Sequence, residues 1–181
     1  AEGKMTPSEV ASAFIERIKL YDPSIEAFSY FDREAVAIEA ETMTEEAKAG
    51  KFRGPLHGVP FAVKEQFAME GVATRGDYKD PESPIATYDA TVVARLKAAG
   101  ALVLGKTYMT GPSGTPPTKN PWNLEYTPGG SSSGSGASVG ARMAPFSLSE
   151  QTAGSGIRPA AYCGVSALKP LTTRHFYNPD G

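Results

Sequence analysis

Serine and glycine concentrate in two turns of this sequence, and both turns hold the residue types that nucleophilic chemistry requires. The first turn reads G-G-S-S-S-G-S-G over residues 129–136, and the second reads T-A-G-S over residues 152–155. A serine hydroxyl is a useful nucleophile only when a neighbouring base takes its proton. Each turn precedes a segment predicted to be helical, and unpaired N–H groups at a helix start favour developing negative charge. Two such turns can place two hydroxyls and a set of N–H donors around one point.

Composition alone also allows a flexible Gly/Ser linker here. The turns, however, continue into A-S-V-G-A-R-M and I-R-P-A-A-Y-C, which linkers do not usually do. We therefore favour folded turns.

A nucleophilic serine needs a base, and neither histidine of this sequence is a convincing candidate for it. His57 and His175 are the two histidines of the chain, and no motif surrounds either of them. Lys64 closes the short apolar run F-A-V. A free lysine has a pKa near ~10.4, and burial would disfavour its charged form and make it a base near neutral pH. An isolated V-K dipeptide is more often a surface lysine at a strand end, so the residues alone leave both roles open.

These motifs resemble the signature region of the amidase signature family of serine hydrolases. The family carries G-x-P-x-x-V-K, G-K-T, G-G-S-S-x-G-S, T-x-G-S and R-P-A followed by C-G, in that order. The matching segments here are residues 58–64, 105–107, 129–135, 152–155 and 158–164. The resemblance extends from about Gly54 to Pro170.

The resemblance implies a role for each matched residue. Ser155 stands at the nucleophile position and Lys64 at the base position. Ser131 stands between them as the bridging serine, and the family has a cis peptide before it, here Gly130–Ser131. The oxyanion hole and substrate-binding positions are Gln151, Thr152, Ala153, Gly154 and Gly130.

Three positions depart from the family pattern. Glu65 follows the lysine where aspartate is usual, Ala153 replaces a glycine, and Gly156 replaces a small aliphatic residue, often valine. Arg158 suits either a substrate carboxylate or an internal acid, and we favour the structural role.

The implied function is hydrolysis of the C–N bond of small amides through an acyl-enzyme, without metal or cofactor. The same chemistry extends to aryl or alkyl carbamates, which would make the protein a urethanase. The pattern Q-T-x-G-S-x-I-R-P-A points to stand-alone bacterial amidases rather than the tRNA-dependent amidotransferase subunit, which usually has D-T-G-G-S-I-R. The resemblance allows a homodimer and a bacterial cytoplasmic location.

An alternative of another class is a phosphate- or nucleotide-binding module. Residues 100–107, G-A-L-V-L-G-K-T, match the P-loop pattern G-x-x-x-x-G-K-T. A P-loop needs a loop between a strand and a helix. The four intervening residues are apolar and indicate the strand itself, which argues against this alternative.

Length and composition limit the classes of partner and the number of domains that this chain can have. The chain has 181 residues and a net charge of −2, which gives no reason to expect nucleic acid or an acidic membrane as partner. No run approaches the ~20 apolar residues of a membrane span, and the first residues lack a signal-peptide pattern. We expect one domain, with a helical region over residues 1–50 and a signature core over residues 54–170. Family members are much longer, so we expect this to be the N-terminal part of the fold.

The implied fold class is α/β, a mixed β-sheet core covered by helices on both faces. The first predicted helix begins at the capping box Thr6–Glu9 and ends at Tyr21-Asp22-Pro23, and the second extends from Asp32 to about Ala49. Further helices are predicted after a cap at Asp89, over residues 132–142 and near residues 160–162. Predicted strands are 27–31, 61–64, 101–104, 145–148 and 165–168. Trp122 is a predicted core anchor, Cys163 a predicted buried residue, and Ser132, Ser133 and Ser135 predicted helix caps.

Overall fold

The computed structural model describes residues 5–77, 79 and 83–170. Its elements in chain order are α1 (Pro7–Ile25), β1 (Phe28–Phe31), α2 (Arg33–Lys48), β2 (Pro60–Lys64), α3 (Thr91–Ala98), β3 (Leu102–Thr107), α4 (Ser133–Gly140), β4 (Ser147–Leu148) and α5 (Ile157–Tyr162). Within these residues the strands form one sheet in the order β1-β3-β2-β4. β1 is antiparallel to β3, whereas β2 is parallel to both β3 and β4. The predicted mixed sheet is confirmed.

Helices cover both faces of this sheet. Successive strand residues point to opposite faces, so β2 and β3 supply two separate apolar clusters. Ala62 and Leu104 join the cluster built with α1, α2 and α4. Phe61 and Val63 join a smaller cluster with Val93 of α3. Lys64 therefore extends from a strand that is buried on both sides.

The start of α1 follows the sequence prediction, but its end does not. Thr6 accepts a hydrogen bond from the N–H of Glu9 at 3.2 Å, and the Glu9 carboxylate accepts from the Thr6 N–H at 2.7 Å, which completes the capping box. The predicted stop at Tyr21-Asp22-Pro23 is wrong, because the helix continues through Pro23 to Ile25. Pro23 has no N–H to donate to the carbonyl four residues earlier, so the helix loses that one bond and still continues for two residues.

The cap predicted at Asp89 is also wrong. Helix α3 begins at Thr91 after Ala90, and no side chain caps it. The Asp89 carboxylate instead accepts from the Glu70 N–H at 2.9 Å and from Lys97 Nζ at 2.6 Å. Its carboxylate is held by tertiary contacts rather than by the helix start.

Three further predictions concern the second half of the chain. Cys163 is buried, as predicted. Residues 165–168 form no strand. The prediction of Trp122 as a core anchor is wrong: 72% of its surface is exposed, and its indole N–H donates to the Cys163 carbonyl at 2.7 Å. Nothing predicted for residues 171–181, including His175, falls within the described residues.

The P-loop alternative is wrong on the structure. Gly105, Lys106 and Thr107 lie inside β3 rather than in a loop before a helix. A Cβ at Gly105 would stand 2.2 Å from the Tyr30 carbonyl oxygen, so the glycine allows β1 to approach β3. The Lys106 side chain is fully buried and pairs with Glu65, so it faces no phosphate site.

Two kinds of feature are absent from the described part of the chain. No helix there combines the length and the apolar character needed to cross a membrane. No three or more His, Cys, Asp and Glu side chains among those residues come together in a metal-binding group.

Candidate active site

Lys64 ends strand β2, and its side chain is completely buried. Nζ donates to Ser131 Oγ at 2.8 Å and contacts Glu150 twice, at 3.2 Å to the carboxylate and 3.4 Å to the main-chain carbonyl. The backbone of Lys64 pairs with Thr107 of β3. The lysine is thus anchored by the sheet and reaches the first serine turn and Glu150, two residues before the second turn.

Burial lowers the pKa of Lys64 below its ordinary value of 10.5. The ammonium form loses hydration in the interior, so the neutral amine is favoured. The Glu150 carboxylate opposes this effect and raises the pKa, but desolvation is the larger cause. A neutral amine at this position can accept a proton.

The first turn aims Ser131 at this lysine. The peptide bond between Gly130 and Ser131 is cis. A Cβ at Gly130 would lie 2.5 Å from Thr110 Oγ1, so a larger residue would displace this segment. The Thr110 N–H donates to the Ser131 carbonyl at 2.9 Å and fixes the turn from the other side.

The serines that follow are not helix caps, contrary to prediction. No side chain caps α4 at its N-cap residue Ser132. Ser132 Oγ donates to the Glu150 carbonyl at 3.2 Å, and Ser133 Oγ lies 3.1 Å from Thr110 Oγ1. Ser135 Oγ donates to the Leu148 carbonyl at 3.1 Å. These hydroxyls cross-link α4 to the surrounding segments and so hold the first turn in place.

Thr107 connects the same helix to the sheet. Its Oγ1 lies 3.0 Å from Ser135 Oγ and 3.3 Å from the Val63 carbonyl. Thr107 is the last residue of the G-K-T motif, so its role at the site is to fix α4 against β2 and β3. The G-K-T motif could be recognised in the sequence, but the contact of Thr107 with Ser135 could not be predicted from it.

The second turn lies beside the first. The Ser155 carbonyl accepts a hydrogen bond from the Ser132 N–H at 3.0 Å, and Ser155 is partly buried. In the described part of the chain, no hydrogen bond joins the Ser131 and Ser155 hydroxyls. The structure therefore brings the two serine segments together through their backbones.

The backbone N–H groups of this second turn are a further feature of the site. Among the hydrogen bonds of the described residues, the N–H groups of residues 152–155 donate to no protein acceptor. Gly154 has φ of +95°, a conformation that favours glycine, whereas Ala153 is not among the described non-glycine residues with positive φ. Replacement of the usual glycine by Ala153 is thus compatible with the turn.

Gln151 holds the turn rather than projecting from it. Its side-chain oxygen accepts from the N–H groups of Gly156 at 3.1 Å and Ile157 at 2.8 Å. A Cβ at Gly156 would lie 2.9 Å from Ser149 Oγ, so the glycine at this position gives room to that serine. These contacts occupy the side-chain oxygen of Gln151, a residue that the family resemblance places among the substrate-binding positions.

Arg158 and His57 have contacts of a structural kind. The Arg158 guanidinium lies 3.5 Å from the Ala153 carbonyl at the back of the second turn. The His57 ring bonds the Met43 carbonyl at 2.8 Å and accepts the Arg53 N–H at 3.1 Å. Neither histidine nitrogen is directed at the serine turns.

Glu150 is the site residue that the sequence analysis missed. Besides Lys64, its carboxylate accepts the Thr152 hydroxyl at 3.2 Å. The only sequence signal was a carboxylate two residues before the second serine turn, and nothing in its spacing linked it to a residue 86 positions earlier.

Comparison with known proteins identifies the family of the chain. The amidase family model matches residues 9–178. Acylamidase from Rhodococcus erythropolis is 42% identical over 180 residues, which is 95% of this chain and 38% of that protein. A glutamyl-tRNA(Gln) amidotransferase subunit from Streptomyces coelicolor is 40% identical over 178 residues, which is 94% of this chain and 36% of that protein.

A solved structure gives the same result. The native peptide amidase from Stenotrophomonas maltophilia superposes with a TM-score of 0.78 at 31% identity, over 88% of this chain and 36% of that chain. The chain thus spans 36 to 38% of the length of these relatives. Because the family model covers nearly the whole chain and the solved relative shares its fold, the chain belongs to the amidase family, known also as the amidase signature family.

Proposed function

We propose that this chain carries the catalytic residues of an amide hydrolase, with Ser155 as nucleophile, Ser131 as proton bridge and Lys64 as base. The observation that carries the proposal is the 2.8 Å contact between Lys64 Nζ and Ser131 Oγ, made by a lysine with no exposed side-chain surface. A lysine in water would be charged and unable to accept a proton at neutral pH.

The proton path follows from this contact. Neutral Lys64 takes the proton of Ser131 Oγ, and Ser131 takes the proton of Ser155 Oγ as that oxygen attacks the carbonyl carbon of the substrate. The same path returns a proton to the departing amine. Water then attacks the ester between Ser155 and the acyl group, and the carboxylic acid leaves.

The second turn supports charge stabilisation. Four consecutive N–H groups, from residues 152–155, lack a protein acceptor in the described structure and belong to the same turn as the nucleophile. Donors placed where an oxyanion develops are worth a few kcal/mol, about 3 kcal/mol for one donor in a measured case. The unused donors are therefore suited to the tetrahedral intermediate.

The substrate class rests on the chemistry of the site and on the acylamidase relative. A small acyl amide fits a relay that protonates a departing amine. A carbamate presents the same carbonyl to Ser155, and its carbamoyl-enzyme would release carbon dioxide after hydrolysis. We place amides first and aryl or alkyl carbamates second. We propose no cofactor or metal for the reaction, and a homodimer and a cytoplasmic location remain expectations of the resemblance.

Kinetics on three substrates with one acyl size, an aryl amide, an aryl carbamate and an aryl ester, tests the proposal. Ser155→Ala should lower kcat by about 10³-fold or more, with Lys64→Ala and Ser131→Ala nearly as severe. Ser12→Ala, an exposed serine of α1, is the matched control and should retain full activity. Near-normal turnover by Lys64→Ala would overturn the mechanism. Carbamate cleavage as fast as amide cleavage would assign a urethanase.

A second candidate is the amidotransferase subunit, because several relatives of that name are 40 to 44% identical. Gln151, where that subunit usually has aspartate, favours the stand-alone hydrolase. Glutamine-dependent amide transfer together with a co-purifying partner protein would favour the amidotransferase instead.

A further inference from the structure

The Glu150 carboxylate lies between the general base and the second serine turn. One of its oxygens stands 3.2 Å from Lys64 Nζ, and the other accepts the Thr152 hydroxyl at 3.2 Å. Its side chain is 36% exposed, whereas that of Lys64 is completely buried. The carboxylate is thus a charged group that reaches from solvent to a buried base.

We propose that Glu150 is a positioning residue that stabilises the ammonium form of Lys64 against the effect of burial and thereby sets the pH range in which the relay operates. The inference rests on the proposed function, because it assigns to Glu150 an effect on the base of that reaction. An ammonium ion donates to Ser131 but cannot take its proton. A molecule that carries the ammonium form must therefore release a proton before turnover, and the partly exposed carboxylate lies on the side from which water can receive it.

No other described charged group competes for this role. In β3, the residue paired with Lys64 is the uncharged Thr107, and the charged Lys106 beside it pairs with Glu65. From the first turn it faces Ser131, whose hydroxyl is neutral. Glu65, the residue directly after β2, is likewise engaged with Lys106. In the described structure, Glu150 is the charged group in contact with Lys64 Nζ.

The contact has two consequences for the site. An opposite charge within about 4 Å stabilises the ammonium form, so it displaces the acid limb of the rate profile towards higher pH. The bond to Thr152 joins the same carboxylate to the turn that carries the unused N–H donors. Loss of the Lys64 proton weakens its bond to the carboxylate, because the neutral amine keeps N–H donors but loses its positive charge, so protonation of the base is coupled to the position of the turn.

The test is the pH dependence of kcat/KM for amide hydrolysis between pH 6 and 10 in the wild-type protein and Glu150→Gln. We expect the acid limb to move to lower pH, so that kcat/KM at pH 6.5, relative to the plateau value, rises about 10-fold. Glu150→Asp, which keeps the charge, should restore the limb towards that of the wild type. Glu45→Gln, an exposed carboxylate paired with Lys48, is the matched control and should leave the profile unchanged.

The outcomes separate this inference from the proposed function. An active Glu150→Gln protein with an unshifted acid limb would overturn the role of Glu150 and leave the relay standing. A folded Glu150→Gln protein that is inactive at every pH would also overturn it, since the carboxylate would then be indispensable rather than inhibitory. Wild-type activity in Lys64→Ala would defeat the proposed function itself. Glu150→Thr and Glu150→Ala carry the same expectation as Glu150→Gln, so one variant that fails to fold does not decide the result.

Discussion

The buried pair of Lys106 and Glu65 allows a sharp test of how this sheet is stabilised. Lys106 is completely buried and Glu65 is 2% exposed, with 3.6 Å between Nζ and Oε1. Lys106 Nζ also donates to the Ala73 carbonyl at 2.8 Å, and Glu65 accepts the Ser29 hydroxyl and, at 3.2 Å, the Arg75 N–H. The pair thus links β2 and β3 to β1 and to the loop after β2.

Glu65→Gln removes the charge of one partner and keeps the shape. At 3.6 Å and an effective dielectric constant of ~20, the lost attraction is about 5 kcal/mol. Removal of one partner from a buried pair typically costs about 3–5 kcal/mol. With its oxygen on the Arg75 side, the glutamine can still accept the Arg75 N–H, its NH2 group can donate to the Ser29 hydroxyl, and Lys106 keeps the Ala73 carbonyl. We therefore expect Glu65→Gln to lower the free energy of unfolding by about 3 kcal/mol at pH 7, at the low end of this range.

The loss of stability caused by Glu65→Gln should depend on pH in a defined direction. Desolvation lowers the pKa of Lys106 below 10.5, and Glu65 raises it in opposition. The unfolded chain therefore binds the Lys106 proton more tightly than the folded chain, and stability falls as pH drops below the ordinary lysine pKa. Without Glu65 the folded pKa falls further. The difference between the two proteins should be largest at neutral pH and should shrink as pH rises towards 10.5.

The assay is urea unfolding followed by circular dichroism, because the single tryptophan, Trp122, is exposed and reports poorly on the core. Glu45→Gln, which removes the same charge beside the exposed Lys48, is the control and should give no change beyond error. The double variant Glu65→Gln/Lys106→Met should be more stable than the sum of the single losses predicts. A loss below about 1 kcal/mol at pH 7, or one that is equal at pH 7 and pH 10, would refute the reasoning.

Two further predictions follow from the turn and the thiol. Gly154→Ala places a side chain at φ of +95°, so it should cost about 1–3 kcal/mol and lower kcat by displacing the N–H donors. Gly50→Ala, at φ of +72° with open space around it, should lose stability without a comparable loss of kcat; equal kcat losses in both variants would contradict the role of the turn. Burial raises the pKa of Cys163 to about 12, so an aromatic disulfide reagent should label the folded protein slowly at pH 8 and one thiol rapidly in urea. Rapid labelling of the folded protein would show that the thiol is accessible.

Much of the local structure was predictable from the sequence because local bonds produce it. The Thr6–Glu9 capping box and the N-cap at Asp32 join residues three positions apart, so their spacing is visible in the chain. The stop at Pro23 and the cap at Asp89 were predicted wrongly for the opposite reason. A helix of nineteen residues tolerates a proline in its last turn, and tertiary partners claimed the Asp89 carboxylate.

The sequence by itself determined the membership in the family and the residues proposed for the relay, because Lys64, Ser131 and Ser155 stand in motifs of fixed order. It also indicated the cis bond and the strand that excludes a P-loop. Only the tertiary structure decided the surroundings of the base. Lys64 contacts Glu150, which is 86 residues away in the sequence, and Lys106 of β3 pairs with Glu65, which follows β2. Such contacts depend on which strand faces bury each side chain, and neither spacing nor composition records that.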